Sequence, residues 1–172
     1  NTAGTISGLG NEAVTITDTP TVAQLAAINA ATSGTVTVSG GNSSDPIAGT
    51  AAHVLSTLQG ISNHTGTITI SDAPSVAQLK AINAATTGAI TLSTADGALS
   101  GSVADLKLAF AGTVTTHTGN ITITDANSTD ITATDISTIN SASTGAITVT
   151  NAIDINGSAA EVAAAFNAID TN

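Results

Sequence analysis

Short stretches in which every second residue is apolar recur along the chain. The alternating pairs are Val14/Ile16, Val36/Val38, Ile68/Ile70, Ile90/Leu92, Ile121/Ile123 and Ile147/Val149. Strict alternation predicts half-buried β-strands with the Ile/Val side turned inward. The residue between each pair is threonine in every copy: Thr15, Thr37, Thr69, Thr91, Thr122 and Thr148. The next outward position holds Thr17, Ser39, Ser71, Ser93, Thr124 or Thr150. Strands covered by helices on both sides would be apolar on both faces. These are apolar on one face only, so the hydroxyl face meets water or a partner.

After each strand the period becomes helical. Val22, Leu25 and Ile28 follow at three-residue steps, as do Val76, Leu79 and Ile82. Leu55/Leu58, Leu106/Phe110 and Val162/Phe166 take that place in the other segments. Capping boxes mark the starts at Thr21–Gln24, Ser75–Gln78, Ser102–Asp105 and Ser158–Glu161, with weaker forms at Thr50–His53 and Thr132–Asp135. In a capping box the hydroxyl accepts the third helical N–H and the side chain at that third position reaches back. Gly34, Gly88 and Gly145, each preceded by Ser or Thr, predict left-handed helix stops.

The chain repeats itself. TITDTPTVAQLAAINAATSG at 15–34 returns as TITISDAPSVAQLKAINAATTG at 67–88 and, more loosely, as NITITDANSTDITATDISTINSASTG at 120–145. Asp18 to Asp72 is a step of 54 residues and Asp72 to Asp125 one of 53. Each long unit splits into two half-units, which gives a single array with segments near 1–34, 35–66, 67–88, 89–119, 120–145 and 146–172. The second halves share the signatures Ile47-Ala48-Gly49-Thr50, Leu99-Ser100-Gly101-Ser102 and Ile155-Asn156-Gly157-Ser158. Strand–helix alternation with short links implies parallel strands and right-handed crossovers. With helices on one face only, the expected fold is an α/β solenoid. It has one parallel sheet of about six rungs, one helix per rung, and a leucine-rich-repeat-like overall shape. Residues 3–18 parallel 111–125, so the first residues read as the tail of a unit. Neither end carries a charged capping element, so both are expected to stack on neighbouring repeats or on another copy.

These repeats resemble those of very large secreted bacterial surface proteins, including adhesins exported by type I systems and giant cell-surface proteins of marine cyanobacteria. The resemblance is carried by ITISDAPSVAQLKAINAATTG at 68–88, its copy at 16–34 and ALSGSVADLKLAFAG at 98–112. It implies an extracellular, secreted location and array character, and no particular activity. The third copy departs from the pattern, with NSTDITAT at 127–134 replacing the Pro-containing lead-in. The Gly/Asp-rich calcium nonapeptide of many such exported proteins is absent.

Composition narrows the chemistry. Two Lys+Arg stand against 12 Asp+Glu, for a formal charge of -10, which gives no footprint for nucleic acid. No apolar run approaches the roughly 18 residues of a membrane helix. With no Cys there is no disulfide, thiol nucleophile or Cys-based zinc site. His53, His64 and His117 are the only histidines. His64 and His117 share an H-T-G phrase at equivalent phases, two rungs or about 10 Å apart by strand spacing. They read as turn residues, and no enzyme is expected.

Three readings of function follow. The first is a structural repeat module that stacks into a rod or head-to-tail filament, its partner being itself. The second is a calcium-dependent adhesive module. Asp18, Asp72 and Asp125 follow strands at one phase and are its candidate Ca²⁺ ligands, with recognition on loops 39–49 and 93–101. The alternative role for Asp18 and Asp72 is an Asx-turn leading into the helix cap. The third is an ice-binding Thr face, since threonines at every second position repeat at about 6.7 Å along a strand and about 4.8 Å across strands.

Overall fold

In the computed structural model residues 10–18, 20–38, 44–59, 61 and 64–169 are described, with the side chains of all of these but Val22 and Val38. Ser39, part of loop 39–49 and residues 3–9 therefore lie outside the described residues. Strands and helices alternate as β1 (Val14–Ile16), α1 (Val22–Ala31), β2 (Val36–Val38), β3 (Ile47–Gly49), α2 (Ala51–Leu58), β4 (Ile68–Ile70), α3 (Val76–Ala85) and β5 (Ile90–Leu92). They continue as β6 (Leu99–Gly101), α4 (Val103–Ala109), β7 (Ile121–Ile123), β8 (Asp130–Thr132), α5 (Ala133–Ala142), β9 (Ile147–Val149), β10 (Asp154–Asn156) and α6 (Ala159–Ala168).

All strand pairs among the described residues are parallel, as the alternation of strand and helix requires. The single six-rung sheet expected from the sequence is replaced by four small sheets: β1–β2, β3–β4–β5, β6–β7–β9 and β8–β10. Within each long unit the expected neighbours do pair, with Thr15 opposite Thr37, Thr69 opposite Thr91 and Thr122 opposite Thr148. Between units they do not. β4 takes β3 as its other neighbour, with Ile47 opposite Ile68, and β7 takes β6, with Leu99 opposite Ile121. The shared Ile-Ala-Gly and Leu-Ser-Gly signatures are thus strands in their own right. Each carries a single buried apolar residue, too few to produce an alternating pattern.

The helices pack in chain order, α1 on α2 and so on to α6. One contiguous apolar cluster joins strand residues Ile68, Ile70, Ile121 and Ile123 to helix residues Leu79, Ile82, Leu106 and Ile136. Fully burying such a side chain contributes about 1.5–3 kcal/mol. The cluster draws on strands and helices from different segments, so each segment depends on its neighbours for burial. The predicted pattern is off at one helix: Phe166 is 58% exposed, and the small Ala165 is the buried residue of α6.

The caps form where the sequence placed them. Thr21, Ser75 and Ser158 make complete capping boxes with Gln24, Gln78 and Glu161. At Ser102 the hydroxyl accepts from Asp105 N, but the return bond is missing. Asp105 is one methylene shorter than Glu or Gln, and its Oδ1 pairs with Lys80 Nζ at 2.6 Å.

The expected left-handed stops are corrected. α1, α3 and α5 end on Thr32, Thr86 and Ser143, all extended. Among the described residues only Gly10 and Ser128 have positive φ. Gly88 and Gly145 are glycine for space instead. A Cβ on Gly88 would lie 1.8 Å from Gly66 O, and one on Gly145 would lie 1.8 Å from Gly119 O. Backbone stacks on backbone there, and no side chain fits between.

Candidate functional site

The chemistry-bearing side chains gather where one rung meets the next. His64 and His117 are 0% and 1% exposed, and both ring nitrogens of each are engaged. His64 Nε2 lies 3.0 Å from Asp45 O and Nδ1 3.0 Å from Thr86 Oγ1. His117 repeats this with Gly97 O at 2.7 Å and Ser143 Oγ at 3.2 Å. A carbonyl can only accept, so Nε2 carries the proton in both. Each ring ties the preceding rung to the following one and has no nitrogen left for a metal or for proton transfer. They are not turn residues as expected: each is buried and forms a parallel bridge, His64 with Thr86 and His117 with Ser143. His53 is the third residue of α2, and its backbone N–H is the one capped by Thr50.

Two of the three candidate aspartates reach the start of another helix. Asp72 Oδ1 accepts from Ala51 N at 2.7 Å, and Asp125 Oδ2 accepts from Val103 N at 2.8 Å. Ala51 and Val103 are the first residues of α2 and α4. A carboxylate at a helix N-terminus satisfies a free N–H and meets the positive end of the helix dipole. Asp72 and Asp125 therefore bind each rung to the helix of the rung before it. Asp18, at the same phase, is exposed. The three are not brought together, and no group of three or more His, Asp or Glu able to hold a metal ion occurs among the described residues.

Side-chain amides and ion pairs complete the seams. Asn29 Nδ2 donates to Ser56 O and Thr57 O, and Asn83 Nδ2 donates to Leu108 O and Ala109 O. These carbonyls lie in the last turns of α2 and α4, where a helix leaves acceptors free. Both lysines link successive helices, Lys80 to Asp105 and Lys107 to Asp135. The Lys80 ammonium beside Asp105 holds its carboxyl below the usual carboxylate range. Glu161 is lowered too, by the Ser158 N–H and then by the Ser158 hydroxyl.

The threonine face is present but broken. Thr15, Thr37, Thr91 and Thr148 are exposed, whereas Thr69 and Thr122 on the middle strands are half-buried. The six stand as three pairs on three separate sheets. The row beside Thr69 continues with Ala48 and that beside Thr122 with Ser100. An open groove of about 620 Å³ runs between the C-terminal ends of α3 and α4, lined by Ala84, Leu108 and Ala111. Its polar neighbours Lys80 and Asn83 are already bound to α4.

No protein-family model, no curated protein and no solved structure matches the chain.

The sequence reading missed the reach of Asp72 and Asp125 into the preceding helix, the Asn29 and Asn83 clamps, and the stacked glycines. Asn29 and Asn83 were visible as the one polar residue held fixed inside the helical phrase AxINAA. Gly66–Gly88 and Gly119–Gly145 were visible as glycines recurring at the rung spacing. In each case the signal was a repeated position whose partner lies one rung away.

Proposed function

We propose that this chain is a structural repeat module of an extracellular protein, an α/β solenoid whose role is mechanical. It stacks rung on rung into a rod or head-to-tail filament at a cell surface. The observation that carries this reading is that the histidine, asparagine, lysine and interstrand aspartate contacts all join one rung to another. A binding or catalytic protein sets polar groups toward a cavity. Here they are set along the stacking axis. The likeness of the repeats to secreted bacterial surface proteins supports the location, as does a chain free of Cys and Met.

The test is immunogold electron microscopy of cells that make the protein, and of material released from them, with and without chelator. Label on thin rods or filaments outside the cell, unchanged by chelator, is the expected result. Label confined to the cell interior, or on particles with no long axis, overturns the reading. Rods that fall apart in chelator would return the calcium-dependent adhesive module to first place.

A further inference from the structure

His64 and His117 hold equivalent carbonyls, but the two carbonyls belong to chemically different bonds. His64 Nε2 donates to Asp45 O at 3.0 Å, and His117 Nε2 donates to Gly97 O at 2.7 Å. Asp45 and Gly97 each stand two residues before the start of a strand, β3 at Ile47 and β6 at Leu99. At the second seam the held carbonyl is that of Gly97–Ala98, an ordinary peptide bond. At the first it is that of Asp45–Pro46, and of the three prolines only Pro46 follows an aspartate.

That bond combines a nucleophile, a leaving group and a stabilised oxygen. The Asp45 carboxylate belongs to the same residue as the held carbonyl, and closing it on that carbon makes a five-membered ring. Nucleophile and carbon are therefore joined in advance. Proline nitrogen carries no hydrogen and leaves as a dialkyl amine, which takes up a proton readily. The carbonyl oxygen, where negative charge collects during attack, already faces the His64 N–H. That donor is fixed: His64 is 0% exposed and its Nδ1 lies 3.0 Å from Thr86 Oγ1. Thr86 Oγ1 is itself anchored by His64 O at 3.1 Å and Gly88 N at 2.9 Å. A donor already held in place needs no reorganisation when the charge appears. Asp45 and Pro46 are both exposed, so water has access to the carbon.

We infer that Asp45–Pro46 is a self-cleaving bond and that His64 is its catalytic residue. A carboxylate oxygen of Asp45 adds to the Asp45 carbonyl carbon. The carbonyl oxygen becomes an oxyanion, stabilised by the His64 Nε2–H, which keeps its proton. As the carbonyl re-forms, the C–N bond to Pro46 breaks, and the nitrogen's electron pair takes a proton from the solvent. Residue 45 is left as a cyclic anhydride. Water opens it to a new terminal carboxylate and the original side chain. The sum is one peptide bond and one water converted to an acid and an amine. The two pieces stay associated, because α1 packs on α2 and Asn29 holds the Ser56 and Thr57 carbonyls. The inference uses only the His64 seam and stands apart from the filament reading.

The test is a time course of the purified chain in mildly acidic buffer, read by mass spectrometry after denaturation. The same chain unfolded in urea at the same pH gives the rate of the bond without His64 in place. The folded chain is expected to break after Asp45, with no break after Gly97, at least about tenfold faster than the unfolded one, since one oxyanion donor is worth about 10²–10³ in rate. Asp45→Ala, at an exposed position, should abolish the break. His64→Phe keeps a buried ring without the donor and should slow the break to the rate in urea, with thermal melting as the folding control. A folded chain that breaks no faster than the unfolded one overturns the inference, whether or not His64→Phe folds. So does a break of unchanged rate in folded His64→Phe. A break that persists in Asp45→Ala overturns it as well, because the cut then comes from an outside protease.

Discussion

α4 and α6 begin on the same signal, Ser102 with Asp105 and Ser158 with Glu161, and continue with apolar residues at the same phases. α4 buries Val103, Leu106 and Ala109, while α6 buries only Ala165. The intrinsic helix signal is if anything stronger in α6, which has the complete capping box and six alanines. The difference lies in what adjoins them: α4 is held between α3 and α5, and α6 rests on α5. In this molecule the burial of a helix follows its neighbours more than its own sequence.

The largest expected effect comes from a methyl group placed where backbone meets backbone rather than where a side chain can give way. Gly88→Ala drives a Cβ to 1.8 Å from Gly66 O, whereas Gly157→Ala meets nothing closer than Ala133 Cβ at 3.1 Å. Gly88→Ala should lose more than about 3 kcal/mol in urea unfolding and Gly157→Ala less than about 1 kcal/mol. Equal losses would mean that the Gly66 carbonyl does not crowd position 88. Next in size are truncations at one phase. Leu106→Ala should cost about 3 kcal/mol and Val162→Ala about 1 kcal/mol or less, because only the first leaves a sealed cavity.

A smaller effect separates the aspartates. Asp72→Ala removes the partner of the Ala51 N–H and should cost about 1 kcal/mol. Asp18→Ala should leave the melting temperature of the dilute chain unchanged. The smallest effect is acid sensitivity. Asp105 and Glu161 both have lowered folded-state values, so their contribution is complete above the ordinary carboxylate range, near 4, and is lost as pH falls through the lowered values. Melting temperature followed down from neutral pH should therefore show a shallow acid limb. High salt should reduce the part removed by Asp105→Asn, which depends on Lys80, more than the part removed by Glu161→Gln, which depends on the Ser158 cap.

Much of this was legible in the sequence. The six alternating pairs became strands, and a Ser or Thr three residues before Glu, Gln, Asp or, at α2, His marked the N-cap of each helix. Both depend on contacts within a few residues, and such contacts leave a local pattern. What stayed hidden depends on the neighbouring rung. Nothing local distinguishes Ile47-Ala48-Gly49 from a loop, because its strand character comes from pairing with Ile68–Ile70. Gly88 looked like a left-handed stop, since the backbone against which it packs lies 22 residues earlier. Asp18, Asp72 and Asp125 look alike because their local sequence is alike. What sets Asp72 and Asp125 apart is the Ala51 and Val103 N–H that each reaches, 21 and 22 residues away in the chain. Phe166 was read as core by its phase, which is correct for Leu58, where a following rung covers the position.

Residue-resolved amide hydrogen exchange on the dilute chain tests the central claim most directly. Stacked rungs predict a gradient: the amides of β4 and β7, together with α3 and α4, exchange only through global unfolding, and those of β10 and α6 exchange through local opening at markedly lower free energy. Uniform protection of β4, β7, β10 and α6, all set by a single unfolding event, would contradict it.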